Sequence, residues 1–536
     1  MKKNIIFYTI LAIILFCGYF LFLGSYPLLD VDETRYVDMA RSMFNSRDFM
    51  TLYLNQDYFF EKPPLFFWIE CIGFKIFGGV SEFSARLPIV LLSLLPLGLM
   101  FGLCKKVKNT LFAFVVSAVL LTSLEYILLT KIAILDSVLT SLVSSAVLCY
   151  FYTFFVKENS KKYFWILSYI FTGLAVLAKG IPGFVIPFMT IGVSTFVFKT
   201  YRETFKYAFS GMLIMLAVTL PWHVVMLKTY PGLFFDEYIY KHHILRFLGS
   251  DVINKNQPWY FYLLTLLWGL FPHVFAVLPK VFEFCKKSFL MKEFKFDINI
   301  TDNYKKFLVL NGIVCGCILL FFSVSGAKLV TYILPVYPFA AVLVGNLWMN
   351  YIKKDDVVIK NSMLTLNWIF IGAVIITPFV TAVMPFEIGG MIYSIQMLAT
   401  VIILPFAYLI INQILSNKRL KVFVLQTLFF AFLVGVMTPS AYNLDYNFGQ
   451  HDLIKFAKFA KENNYSLSTY KIGKKYSLLY YSNLPFVEFQ TEDDLGWLGR
   501  ELKEKNNLIV MKNKNIENLT LDVKMRGRKY SLIEEK

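Results

Sequence analysis

Long apolar runs recur along most of this chain, and they restrict its fold more than any other feature. A helix needs about 20 apolar residues to cross the hydrocarbon core of a bilayer. Only 17% of the residues are charged, whereas soluble domains carry roughly 25%. We expect the first run to be a retained signal anchor, because it is too long for a cleaved signal peptide. The runs predict about thirteen membrane-spanning helices, at residues 4–27, 83–104, 110–129, 136–156, 163–178, 181–198, 207–228, 259–279, 307–323, 329–350, 362–384, 391–414 and 420–438.

Basic residues lie mostly in the short loops between these runs, and they predict the orientation of the chain. With the first residue on the cytoplasmic side, every cytoplasmic loop carries several Lys or Arg residues, in accord with the positive-inside rule. This placement accounts for the net charge of +17 without a nucleic-acid partner. The pattern therefore indicates a multi-pass α-helical membrane protein surrounded by membrane lipids.

The composition changes near residue 441, where a polar and Lys-rich tail begins. An odd number of spans leaves this tail on the outer side of the membrane. A helix at 452–463 and short β-like runs such as "LIVM" at 508–511 predict a small soluble α/β domain over 441–536, after a transmembrane domain over 1–440. The seven cysteines form no metal-binding or disulfide pattern.

The first outside loop, residues 28–82, contains two unusual stretches. In "LLDVDETRYVDMARSMF" the apolar spacing predicts an interfacial helix with Asp32 and Arg35 on one face. In "YFFEKPPLFFW" two prolines favour extended backbone at Glu61 and Lys62, and a second interfacial helix follows. Asp32 could be only a helix cap with Arg35 as its partner. Two acid–base pairs at membrane depth favour a functional role, because charge there is costly.

Further polar residues lie in the other outside loops, where the topology would bring them to the same membrane face. They are Asp136, Lys179, His243, Arg246, Lys328 and Tyr332. Several cations and carboxylates beside an apolar wall suit a ligand with an anionic head and a hydrocarbon tail. Because the sequence has no Gly-rich phosphate loop, a lipid-borne phosphate is the simplest interpretation. An Asp or Glu beside the reacting carbon would orient or deprotonate an acceptor.

These stretches, taken in order, also carry a family resemblance. The bacterial aminoarabinose transferases have successive motifs that resemble "DVDETRYVDMARSM", "YFFEKPPLFFWI", "FGGVSEFSARLPIV", "LAKGIPGFVIP", "PGLFFDEYIYKHHILRF", "QPWYFYLL" and "SGAKLVTYILPVYP". That family belongs with the protein O-mannosyltransferases among the C-type, polyprenyl-phosphate-dependent glycosyltransferases. The resemblance runs from about residue 30 to residue 340.

The resemblance implies a membrane enzyme with about thirteen spanning helices, interfacial helices in the first outside loop and an outer soluble domain. Such an enzyme would sit in the bacterial inner membrane, with its active site and its tail in the periplasm. It would move a sugar from undecaprenyl phosphate to an acceptor with inversion at the anomeric carbon. The expected sugar is 4-amino-4-deoxy-L-arabinose and the expected acceptor a lipid A phosphate. A protein or another envelope glycan is the alternative acceptor.

Site roles carried over from the resemblance fall on residues already singled out. Asp32, Asp136 and Glu61 would be catalytic, and Glu61 with His243 would hold a divalent metal such as Zn, Mg or Mn. The donor phosphate would be bound by Arg35, Lys62, Arg246, Lys328 and Tyr332. With a phosphate as acceptor Asp32 need only position it, whereas a hydroxyl acceptor would require Asp32 to act as a base.

Two other protein classes compete with this interpretation. A secondary transporter typically has broken helices at the bilayer midplane and repeated halves, whereas here the charges gather near one surface and no repeat is evident. A non-catalytic membrane scaffold would leave the ordered acidic and basic motifs without a purpose.

Overall fold

Helices make up most of the protein in the computed structural model, which describes residues 2–245, 257–291, 302–353, 357–382, 405–445, 449–489, 507–516 and 522–534. The first ten helices are α1 (Lys2–Leu15), α2 (Asp32–Ser46), α3 (Leu65–Ile76), α4 (Glu82–Val107), α5 (Thr110–Leu121), α6 (Leu124–Leu129), α7 (Leu135–Tyr152), α8 (Glu158–Lys179), α9 (Ile181–Phe198) and α10 (Tyr201–Thr229). They are followed by α11 (Pro231–Phe234), α12 (Phe261–Gly269), α13 (Val274–Met291), α14 (Asn303–Val324), α15 (Tyr337–Lys353), α16 (Val357–Ala382), α17 (Pro405–Leu415), α18 (Arg419–Asp445), α19 (Gln450–Glu462) and α20 (Tyr476–Ser482).

Six helices in the described ranges are long and apolar enough to cross a bilayer. They are α4, α7, α9, α10, α14 and the segment Val330–Lys353 that ends in α15. The predicted run at 259–279 is divided between α12 and α13, and most of the run at 391–414 falls outside the described residues. The coarse prediction of a multi-pass helical bundle is therefore confirmed, whereas the count of thirteen stays a prediction.

Helix α7 lies at the centre of the bundle, with sixteen of its eighteen residues buried. It packs against α4, α8 and α9. Small hydroxyl residues let neighbouring helices approach closely, and two of the serines donate to carbonyls of the preceding turn. Ser141 donates to the carbonyl of Ser137 at 2.9 Å, and Ser145 donates to that of Ser141 at 2.7 Å. This enclosed helix fixes the position of Asp136 in its first turn.

Gly180 separates α8 from α9 at a sharp turn. Its φ of +81° lies in the left-handed region that favours glycine. Three residues later, Gly183 packs against the backbone of Ala175, where a Cβ would come within 2.4 Å of a main-chain atom. The turn places Lys179, the last residue of α8, beside the start of α7.

The tail contains a five-stranded mixed sheet. Its strands are β3 (Ser466–Tyr470), β4 (Phe486–Phe489), β5 (Asn507–Lys512), β6 (Asp522–Arg526) and β7 (Tyr530–Glu534). Two shorter strands, β1 (Tyr53–Leu54) and β2 (Asp57–Tyr58), form a separate hairpin in the first outside loop. The order in the sheet is β4-β3-β5-β7-β6. Strands β4, β3 and β5 are parallel, and β7 is antiparallel to both β5 and β6. Helix α20 of the tail packs against α2 of the first outside loop.

Candidate active site

A cavity of about 750 Å³ collects polar residues from distant parts of the sequence. Its polar lining comprises Asp32, Arg35, Tyr36, Glu61, Lys62, Asp136, Lys179, His242, Ser325, Thr331 and Tyr332. The remaining wall is apolar and includes Ile134, Leu139, Ile181, Pro182, Val185, Phe321, Phe322 and Leu329. A charged rim beside an apolar wall is the arrangement that an amphipathic ligand requires.

The first turn of α2 supplies an acid–base pair to the cavity. Arg35 donates from Nη2 to Asp32 Oδ1 at 2.8 Å, as the three-residue spacing predicted. The Asp32 side chain stays 64% exposed, whereas that of Arg35 is 18% exposed. Burial by itself would lower the pKa of Arg35, but Tyr36, Asp32 and Glu61 raise it above its ordinary value, so the guanidinium keeps its charge.

Glu61 and Lys62 follow the hairpin of the first outside loop and precede α3. The amino group of Lys62 donates to the carbonyl of Glu61 at 2.9 Å. The Glu61 carboxylate lies 3.7 Å from Nδ1 of His242, whose Nε2 lies 3.7 Å from a carboxylate oxygen of Glu237. A histidine thus stands between two carboxylates at one side of the cavity.

Asp136 pairs with a residue that the sequence analysis noted but did not assign to the site. Its Oδ1 accepts a hydrogen bond from Lys179 Nζ. The same amino group lies 4.6 Å from the ring centroid of Tyr332, where a cation is favoured by the aromatic face. Lys179 therefore neutralises Asp136 and adds a third cation to the cavity lining, after Arg35 and Lys62.

Glu33 and Arg86 connect the segments that carry Asp32 and Asp136, and the sequence analysis missed this role. Arg86 donates from Nε to Glu33 Oε1 at 2.7 Å and from Nη2 to Oε2 at 2.8 Å, with both side chains fully buried. Glu33 also accepts from the backbone N–H groups of Leu29 and Ala133, each at 2.8 Å. A buried ion pair with these additional hydrogen bonds resists separation, because removal of either partner leaves an uncompensated charge.

The remaining predicted residues are distributed unevenly. Tyr332 lines the cavity, whereas Lys328 is buried, donates to the carbonyl of Ser325 at 2.8 Å and is not part of the cavity lining. Arg246 and the side chain of His243 lie outside the described residues. The histidine found beside Glu61 is His242.

The described donors do not fit a resident metal ion. Across the described ranges, no three His, Cys, Asp or Glu side chains come together as a metal site. Glu61 faces Nδ1 of His242 and Glu237 faces Nε2, so the two carboxylates cannot share one ion with a single imidazole nitrogen. We therefore assign no chemical step to a metal.

Comparisons with known sequences show which proteins this chain is similar to. Residues 61–224 match the family model described as dolichyl-phosphate-mannose-protein mannosyltransferase. The chain is 25% identical over 357 residues to undecaprenyl phosphate-alpha-4-amino-4-deoxy-L-arabinose arabinosyl transferase 1 of Proteus mirabilis, which covers 66% of this chain and 61% of that protein. It is 27% identical over 369 residues to the transferase of that kind from Wigglesworthia glossinidia brevipalpis, covering 67% and 60%. The chain thus matches about three-fifths of the length of these relatives.

Solved structures show the same fold. The crystal structure of ArnT from Cupriavidus metallidurans bound to undecaprenyl phosphate superimposes with a TM-score of 0.78 at 19% identity, covering 99% of this chain and 98% of that one. Its apo form gives a TM-score of 0.76 at 19% identity, covering 99% and 97%. At 19% identity this likeness shows a shared fold, and the sequence matches show that the chain is similar to aminoarabinose transferases and, in part, to a protein mannosyltransferase model.

Proposed function

We propose that this protein transfers a sugar from a polyprenyl-phosphate donor to an acceptor at the outer face of the bacterial inner membrane. The observation that carries the proposal is the convergence of Asp32, Glu61, Lys62, Asp136 and Lys179 on one cavity with an apolar wall. The names of the relatives support undecaprenyl phosphate as the lipid carrier.

Three cations line the proposed donor site. Arg35 offers forked donors that match a phosphate, and Lys62 and Lys179 supply point charges. The apolar wall around Leu139, Val185 and Phe321 would receive the first isoprene units of the carrier. Lys328, Tyr332 and Arg246 remain proposed contributors to the same phosphate site, as the resemblance and the outside topology suggest.

The transfer is a displacement at the anomeric carbon. An acceptor oxygen forms a new bond to this carbon while the bond to the donor phosphate oxygen breaks, and polyprenyl phosphate leaves with the electron pair. The exposed carboxylate of Asp32 orients the acceptor or, where the acceptor is a hydroxyl, takes its proton. Asp136, held by Lys179, and Glu61, held near His242, would orient the sugar and its acceptor.

The acceptor we propose is a lipid A phosphate, and the sugar is an aminosugar of the 4-amino-4-deoxy-L-arabinose type. Both assignments rest on the names of the relatives. The match to a protein mannosyltransferase model supports a protein acceptor as the second candidate. The proposed topology has thirteen spans, a periplasmic active site and a periplasmic α/β domain over 441–536, supported by the basic loops on the opposite side.

The proposal is tested with the purified full-length chain in lipid nanodiscs. Undecaprenyl-phosphate-linked sugars are supplied with either lipid A or an envelope-protein extract, and the products are identified by mass spectrometry. Sugar should appear on lipid A with release of undecaprenyl phosphate. Transfer only to protein would select the second candidate, and no transfer from any polyprenyl-phosphate sugar would refute the enzyme assignment.

A further inference from the structure

The soluble tail holds the backbone immediately before Asp32. Gln450, at the start of α19, donates from Nε2 to the carbonyl of Leu28 at 2.5 Å and accepts from the N–H of Asp30 at 3.1 Å. Its side chain is buried. One carboxamide thus makes two hydrogen bonds to the backbone of residues 28–30.

Helix α20 and the residue before it make further contacts with residues 28–30. Tyr481 Oη accepts from the N–H of Leu28 at 3.0 Å and donates to Glu82 at 3.1 Å. The N–H of Ser477 donates to the Asp30 carboxylate at 3.1 Å, and Lys475 Nζ lies 3.6 Å from its other oxygen. The backbone N–H groups of Leu28 and Asp30 are therefore each hydrogen-bonded to a side chain of the tail. These contacts matter because a buried N–H group without a partner is costly.

The segment held in this way leads directly into the cavity. Val31 packs against the hydrophobic core of the tail and also lines the cavity, and Asp32 follows it. Tyr476, the first residue of α20, lies close enough to the site to interact electrostatically with Arg35 and Glu61. Burial, opposed by Arg35 and reinforced by Glu61, raises the pKa of Tyr476 to about 12. The tail therefore contacts the same turn that presents the proposed catalytic carboxylate.

We propose that Gln450 is a positioning residue for the transfer reaction, which fixes the backbone of residues 28–30 so that Asp32 faces the donor. The tail is then an integral part of the active centre rather than a separate module. This inference rests on the proposed function. Misplacement of a reacting group by about 1 Å can cost on the order of 100-fold in rate, so the loss of two hydrogen bonds at this point should reduce kcat.

The test compares full-length variants in nanodiscs. Gln450→Met keeps the side-chain volume but removes both hydrogen bonds, and Gln450→Glu keeps only the acceptor for Asp30 N–H. The matched control is Asn55→Gly, which removes two other hydrogen bonds between tail and first outside loop, to the N–H and carbonyl of Phe486. Asn55 has a φ of +52°, so glycine fits there without strain.

Gln450→Met should lower kcat by about tenfold, while the KM for the donor stays within about twofold of the wild-type value. Gln450→Glu should recover part of the lost kcat. The control, Asn55→Gly, should have the kcat and KM of the wild type. Hydrogen–deuterium exchange should speed up in the peptide covering residues 28–34 of Gln450→Met but not of the control. Faster exchange with unchanged kcat would overturn the inference, as would an equal loss of kcat in Asn55→Gly. An inactive wild type would instead refute the proposed function.

Discussion

Helix α8 carries a Lys–carboxylate pair at each end, and the two ends differ in what surrounds the pair. At its C-terminal end Lys179 contacts Asp136 beside the cavity of about 750 Å³. Near its N-terminal end Lys161 contacts Glu203 at 2.6 Å and Glu158 at 3.0 Å, beside a recess of about 190 Å³.

The two places differ in the volume of the space and in the character of its wall. At the smaller recess Lys161 faces two carboxylates, one of which also accepts from Trp165 Nε1 at 3.2 Å, so its charge is used internally. At the cavity, cations from three separate segments face a space with an apolar wall. An ion pair in a polar recess is therefore not enough to indicate a binding site. The site is indicated by charged side chains that face a larger space with an apolar wall.

Removal of the exposed carboxylate at the cavity is expected to have the largest effect and tests whether the cavity, unlike the recess, is a site of catalysis. Asp32→Asn should reduce transfer by on the order of 10³-fold with a hydroxyl acceptor, because a positioned base contributes about 10²–10⁴-fold. With a phosphate acceptor the loss should be smaller, since no proton has to be removed. Initial rates with the two acceptor types measure the difference. Wild-type rates in Asp32→Asn would remove Asp32 from the mechanism.

The two ends of α8 can be compared directly through their carboxylates. Asp136→Asn should lower kcat/KM by about 100-fold, because it alters the charge at the reacting centre. Glu203→Gln, the equivalent change at the smaller recess, should leave kcat/KM within about twofold. Thermal unfolding in nanodiscs first establishes that both variants are as stable as the wild type. Equal losses in both would mean that the larger cavity has no special role.

Removal of single cations sharpens the comparison further. Lys62→Ala should raise the KM for the donor by about tenfold, because a hydrogen bond to a charged group is worth about 1.5–3 kcal/mol. Lys161→Ala is the control and should leave this KM unchanged. Binding of undecaprenyl phosphate, followed by tryptophan fluorescence, provides a measurement that does not depend on turnover. A Lys62→Ala variant altered only in its choice of acceptor would contradict the phosphate assignment.

The smallest effect is expected in the pH dependence of stability. Burial, partly opposed by Lys475, raises the pKa of Asp30 above its ordinary value. The folded protein therefore binds this proton more readily than the unfolded chain, and stability falls as the pH rises from the ordinary to the raised pKa. Asp30→Asn should remove this contribution, so its Tm relative to wild type should be higher at pH 7 than at pH 4.

Thermal unfolding across this pH range measures the difference. A constant difference in Tm between Asp30→Asn and wild type would contradict the expected titration.

Local sequence patterns predicted the local parts of this site. The helical spacing of the first outside loop predicted α2 with Asp32 and Arg35 on one face, and the gap between the predicted spans 163–178 and 181–198 falls at the turn between α8 and α9. These features depend on helical periodicity and on backbone preferences over a few residues, which a single sequence records.

The partners across the fold could not be predicted in this way. Glu33 and Arg86 are 53 positions apart, and Gln450 meets Leu28 across 422 positions. No periodicity connects such residues, because their contact depends on how whole helices and the tail pack. The contact of His242 with Glu61 has the same origin, because it joins the first outside loop to a distant, irregular helical turn.

The enclosed Glu33–Arg86 pair has a consequence for motion within the protein. If the turn before α2 moved away from α4, the Glu33 carboxylate and the Arg86 guanidinium would each be left buried without a partner. The first turn of α2 and the helix α4 must therefore move together. The N–H of Ala133, which donates to Glu33, joins the turn before α7 to them, so the backbones of Asp32 and Asp136 keep their spacing.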